Sequence, residues 1–77
     1  MNKNRRARLS EVQNVLEGAL ADLEEIISEE EEAVDMIPEN LQSSQRYEEM
    51  TDNLDTMNDA QSDIESAISY IEEVISK

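Results

Sequence analysis

Pro38 is the only proline in a chain of 77 residues, and it separates two segments of matching length and periodicity. Read in alternating steps of three and four, the first segment gives Leu9, Val12, Leu16, Ala19, Leu23, Ile26, Glu30, Ala33 and Ile37, with eight of the nine apolar. The second gives Tyr47, Met50, Leu54, Met57, Gln61, Ile64, Ile68, Ile71 and Ile75, again with eight of nine apolar. This is the heptad pattern of helices that pack along their length. Proline disfavours the α conformation in the residue before it, so the first helix should end near Met36. Ser43 or Ser44 then serves as N-cap of the second, with Glu48 and Glu49 in early turns where the macrodipole favours acid.

These signals predict an all-α fold, an antiparallel two-helix hairpin occupying residues 1–77 as a single domain. Helix one covers about 4–36, the connection 37–43 and helix two about 44–76, each helix being roughly 50 Å long at 1.5 Å per residue. Equal helices on a short connection turn back on each other. Ile37 then meets Tyr47, Ile26 meets Met57, Leu16 meets Ile68 and Leu9 meets Ile75, and Leu41 folds back over the end of the core. Composition agrees: Glu, Leu, Ala, Ile, Met and Gln together make up more than half of the chain, most of them good helix formers, and there are no Phe or Trp residues and only two Tyr.

The apolar stripe is wider than a two-stranded seam. Leu20, Ile27 and Val34 extend it on helix one, and Ala60, Ala67 and Val74 on helix two. Three apolar positions per heptad suit a bundle, and a chain this short with no Cys lacks a disulfide staple. Two hairpins associating as a homodimeric four-helix bundle is the expectation. Glu30 and Gln61 interrupt the seam. Either could fix register or oligomeric state, but for Glu30, inside a run of Glu, snorkelling to solvent is the simpler reading. Gly18 and Tyr70 fall on outer faces. Gly18 reads as a tolerated residue, Tyr70 as an isolated candidate anchor.

Charge is segregated along the chain. Lys3, Arg5, Arg6 and Arg8 crowd the start, and the hairpin sets them beside Glu72 and Glu73, which reads as local neutralisation. From Leu9 to Ser76 there are twenty acids against one base, Arg46, hence 19 net negative charges. Glu17, Glu24 and Glu31 recur every seven residues on one outer row, with Glu11, Glu25 and Glu32 on its neighbour. Asp52, Asp59 and Glu73 share an outer row of helix two. Over a hairpin of about 50 Å the body carries roughly one charge per 2.6 Å, against one per ~1.7 Å of duplex DNA axis. Solubility alone needs a net charge of only about 2–8 in a small domain.

Function classes narrow accordingly. Without His or Cys the usual general base and thiol nucleophile are missing, no Gly-rich phosphate loop is present, and an enzyme is not expected. Asp52, Asp55, Asp59 and Asp63 follow helical spacing and lack a calcium-loop pattern. No cofactor or metal is expected. The acidic balance opposes direct binding of nucleic acid or of anionic membrane and favours a basic protein surface. No run of signal-peptide or transmembrane length opens the chain. The partner-binding acidic residues expected from this pattern are Glu17, Glu24, Glu25, Glu29, Glu31, Glu32, Asp52, Asp55 and Asp59.

The segment Glu32-Ala33-Val34-Asp35-Met36-Ile37-Pro38-Glu39-Asn40-Leu41-Gln42, followed by Ser44-Gln45-Arg46-Tyr47, resembles the middle of small acidic helical proteins encoded by bacteriophages and integrated mobile elements of Gram-positive gut bacteria. The resemblance implies a phage or mobile-element origin and the cytoplasm of a bacterial host as working compartment. It also points to a small inhibitor of a host nucleic-acid enzyme. The charge beyond what solubility needs, at a line density comparable to that of a duplex, adds the expectation that such an inhibitor acts as a nucleic-acid mimic on a host defence or DNA-processing protein. The alternative is a structural or assembly adaptor, or a regulatory subunit of a phage protein, binding through apolar helix surface.

Overall fold

The computed structural model describes Met1–Lys77 and is all helical. Helix α1 runs Lys3–Asp35, a single 3-10 turn covers Glu39–Leu41, and α2 runs Gln45–Ile75. The two long helices pack side by side as an antiparallel hairpin with Cα extents of 59 × 15 × 14 Å. Both helices begin on a side-chain cap. Asn2 Oδ1 accepts from the Arg5 N–H at 2.8 Å, and Ser44 Oγ accepts from the Tyr47 N–H at 3.2 Å. Each cap satisfies a backbone donor that has no partner within the helix, worth about 1 kcal/mol. Ser44, not Ser43, is therefore the cap of α2.

The connection uses its own backbone. Met36 caps α1 through its N–H to the Glu32 carbonyl, the Leu41 N–H bonds the Pro38 carbonyl, and the Ser44 N–H bonds the Leu41 carbonyl. Pro38 lacks an N–H and stands where the helix has already stopped, so nothing is lost there. Leu41 covers the end of the core less fully than the sequence suggests and remains half exposed.

The seam shows where the pattern was ambiguous. On α2, all nine positions from Tyr47 to Ile75 in the expected series are partly buried. On α1, Leu9, Leu16, Leu23, Glu30 and Ile37 keep their place, but the second row of the seam is Gln13, Leu20, Ile27 and Val34. Val12, Ala19, Ile26 and Ala33, expected inside, are exposed. The contrast is sharpest between neighbours, since Ile27 is 5% exposed and Ile26 52%. At 100° per residue the helix is turned by about 50° from the expected orientation. Burial free energy follows apolar area, and Leu, Ile and Val offer more area than a row holding two alanines.

Only Ile27 and Val34 are buried, and neither completely. A two-helix pair has no third element to close over the remaining seam residues, so each keeps one wet edge. Glu30 and Gln61 are half-buried within the seam.

Candidate functional site

Two contacts between α1 and α2 define the two broad sides of the hairpin. On one side Gln13 Nε2 donates to Glu72 Oε2 at 2.8 Å across the seam. On the other, Ala33 of α1 and Arg46 of α2 border the same shallow hollow. Residues seven apart on a helix share a face, so each contact extends along the rod. The Gln13–Glu72 side carries Glu17, Glu24 and Glu31 from α1 with Glu65 and Glu72 from α2. The Ala33–Arg46 side carries Val12, Ala19 and Ile26 from α1 with Ala60, Ala67 and Val74 from α2. One side is acidic and the other apolar.

All nine carboxylates named from the sequence are exposed, but they do not form one surface. Glu17, Glu24 and Glu31 line the acidic side at intervals of about 10.5 Å, two turns of helix. Glu25 and Glu32 follow the outer back of α1, in the row of Glu11 and Gly18. Asp52 and Asp59 follow the outer back of α2, the opposite edge of the rod, with Asp55 beside them toward the acidic side. Glu29 turns toward the apolar side. Glu65 and Glu72 complete the acidic side and were not anticipated, because rows on separate helices can be joined only once the rotation of both is known.

Glu72 is the one carboxylate that takes a hydrogen bond from the other helix. Hydrogen bonds from Gln13 and then from Ser76 hold it below the usual carboxylate range. A depressed folded-state value means that this contact stabilises the fold above the ordinary value of 4.5 and ceases to do so as pH falls through the lower folded value. In an NMR titration the Glu72 carboxyl carbon is expected to titrate below 4.5 and to move back up in Gln13→Ala. A Glu72 that titrates at or above its ordinary value in the unaltered chain would mean that the cross-helix bond is absent.

The neutralisation expected between the basic cluster and Glu72 is replaced by these two neutral donors. Arg6 Nε is buried at the end of the seam without a hydrogen-bond partner. Gly18 lies in open surroundings, where an added Cβ meets nothing within 4 Å, so no internal contact requires glycine there. No group of three or more acidic side chains is gathered closely enough to hold a metal ion. No helix is long and apolar enough to cross a membrane. No protein-family model, curated protein or solved structure matches the chain.

Proposed function

We propose that the chain is a small binding protein that works as a homodimer in the cytoplasm of a bacterial host. Its carboxylate rows dock on a basic protein surface, and the best-fitting surface is the nucleic-acid groove of a host defence or DNA-processing protein. The observation that carries this reading is the exposure of all nine candidate carboxylates in a body that has a single base for twenty acids. Exposed like charges four apart on a helix repel by a few tenths of a kcal/mol per pair. A sequence that accepts this repulsion along most of its length is best explained by a partner that supplies the missing cations. Spread over the full 59 Å of the rod, the 19 net charges of the body give about one per 3.1 Å, sparser than the ~1.7 Å of a duplex but of the same order.

A second reading, the assembly adaptor or regulatory subunit, draws support from the apolar side, where Val12, Val15 and Ile26 stand exposed. Salt separates the two. A charge-led complex weakens steeply as ionic strength rises, and an apolar one does not. With the protein immobilised and host lysate passed over it, the partner is expected to elute early in a salt gradient. A partner that stays bound through high salt and leaves only in detergent or denaturant would favour the adaptor.

A further inference from the structure

The apolar side has no cover within the hairpin. Its central rows, Val12, Ala19, Ile26 and Ala33 on α1 and Asn53, Ala60, Ala67 and Val74 on α2, contain no charged residue. In a chain with 34% charged residues, an uncharged strip of this length marks a surface kept free for contact. The total area points the same way. A compact monomer of 8.8 kDa exposes about 4,800 Å², whereas this chain exposes 5840 Å². The surplus of about 1,000 Å² is comparable to the ~800 Å² that each partner contributes to a stable interface.

We propose that a second copy of the chain covers this side in an antiparallel arrangement, with a two-fold axis crossing the rod near its middle. This rests on the homodimer of the proposed function and adds the face and the direction. Two features of the hairpin select them. The first is shape. The α1 row alternates large and small, so antiparallel pairing places Val12 against the partner's Ala33 and Ala19 against the partner's Ile26. On α2 the same operation sets Ala60 against the partner's Ala67 and Val74 against the partner's Asn53. The two pairings share one axis to within about one residue, given the level fixed by the Gln13–Glu72 bond. Small residues let the helix axes approach closely, and the larger ones fill the space opposite them.

The second feature is charge. Lys3, Arg5, Arg6, Arg8 and Lys77 lie at one end of the rod, while Glu29, Glu31, Glu32 and Asp35 outnumber Arg46 toward the other, and of these acids Glu29 is the one that turns toward the apolar side. An antiparallel pair sets the basic end of each copy over the acidic end of its partner. A parallel pair would stack base on base and acid on acid. At the basic end, Met1, Arg5, Arg8, Val12 and Val15 border a shallow hollow of about 700 Å³. The antiparallel register brings the partner's Met36, which is 83% exposed in the single hairpin, level with that hollow. Each hairpin then keeps its acidic side, with Glu17, Glu24, Glu65 and Glu72, facing outward. The dimer presents two such sides on opposite surfaces and can hold two basic partners.

The test uses the full chain. Light scattering after size exclusion at tens of micromolar is expected to give twice the 8.8 kDa chain mass. The chain has no cysteine, so a spin label at Glu39→Cys is unique within each copy. In the antiparallel dimer Glu39 falls level with the partner's Arg6, so the two labels lie about 50 Å apart along the rod. In a parallel dimer they would lie about 20 Å apart, roughly two interhelical spacings. Ala60→Glu puts a carboxylate at the centre of the contact and is expected to return the mass to 8.8 kDa, with helicity kept because Ala60 is exposed in the single hairpin. Glu24→Gln, on the other side, should leave the dimer intact. A monomeric wild type overturns both the homodimer and this interface. A dimer with the short label distance, or one indifferent to a folded Ala60→Glu chain, overturns this interface alone. If Ala60→Glu fails to fold, the label distance decides.

Discussion

Replacing Ile27 with Ala is expected to destabilise the single hairpin by about 2–4 kcal/mol, whereas the same replacement at Ile26 shifts it by less than about 1 kcal/mol. The two residues are neighbours of identical chemistry, and only their rotation about the helix axis distinguishes them. Ile27 is one of two buried side chains, while Ile26 is half exposed. A domain of 77 residues has a total stability of about 4–12 kcal/mol, so the Ile27 loss is a large fraction of the whole. Urea unfolding followed by circular dichroism would measure both. It belongs at low concentration or in the Ala60→Glu background, because the proposed self-association would add a concentration-dependent contribution in which Ile26 takes part. Equal costs at the two positions in a monomeric chain would mean that α1 is rotated from the orientation described here.

The same pair shows how much of the fold can be read from the sequence. On α2 the seam row stands out because its alternative, Asn53, Ala60, Ala67 and Val74, is much smaller and partly polar, and the structure follows the expected series residue for residue. On α1 two rows compete. Counting apolar residues favours Val12, Ala19, Ile26 and Ala33, since the rival row contains Gln13. Weighing apolar area favours Leu20, Ile27 and Val34, and area is what water responds to. Gln13 does not veto that row, because its amide reaches the edge of the seam and donates to Glu72. A reading weighted by side-chain size would have found the orientation. The connection was legible for a simpler reason: one proline and one capping serine act locally and need no partner helix.

The candidate surface was legible only in part. That the carboxylates are exposed follows from their number, since one base cannot pair with twenty acids. Which of them stand together does not, because that depends on the rotation of both helices. Treating the helices separately gave two outer rows that in the folded hairpin lie on opposite edges. It missed Glu65 and Glu72, which the α2 rotation brings to the same side as Glu17 and Glu24. The turned α1 also separates two properties that the sequence had merged. The row assigned to the core instead lies on the surface opposite the acidic side, so the proposed self-association and the proposed partner binding would use different faces. Mutations can then address one without disturbing the other.

That separation makes the central functional prediction clean. Replacing Glu24, Glu25, Glu31 and Glu32 with Gln is expected to weaken binding to the basic partner by about 30- to 700-fold at physiological salt. The estimate takes about 0.5–1 kcal/mol for each of four exposed charge contacts, converted at 1.4 kcal/mol per tenfold. Glu24 and Glu31 lie on the acidic side and Glu25 and Glu32 on the outer back of α1, so the variant neutralises two adjoining rows and touches neither the seam nor the apolar side. All four are exposed, and Gln is nearly as good a helix former as Glu, so the fold should persist. Removing neighbouring like charges should raise the melting temperature slightly, which circular dichroism would register first. DNA or RNA should compete with the unaltered protein for the same partner, because a basic groove cannot hold both. The adaptor reading predicts the reverse: affinity indifferent to the Gln changes and lost when the exposed Tyr70 is replaced by Ala. A folded Gln variant that binds as tightly as the wild type at physiological salt would exclude nucleic-acid mimicry and leave the apolar surface as the binding element.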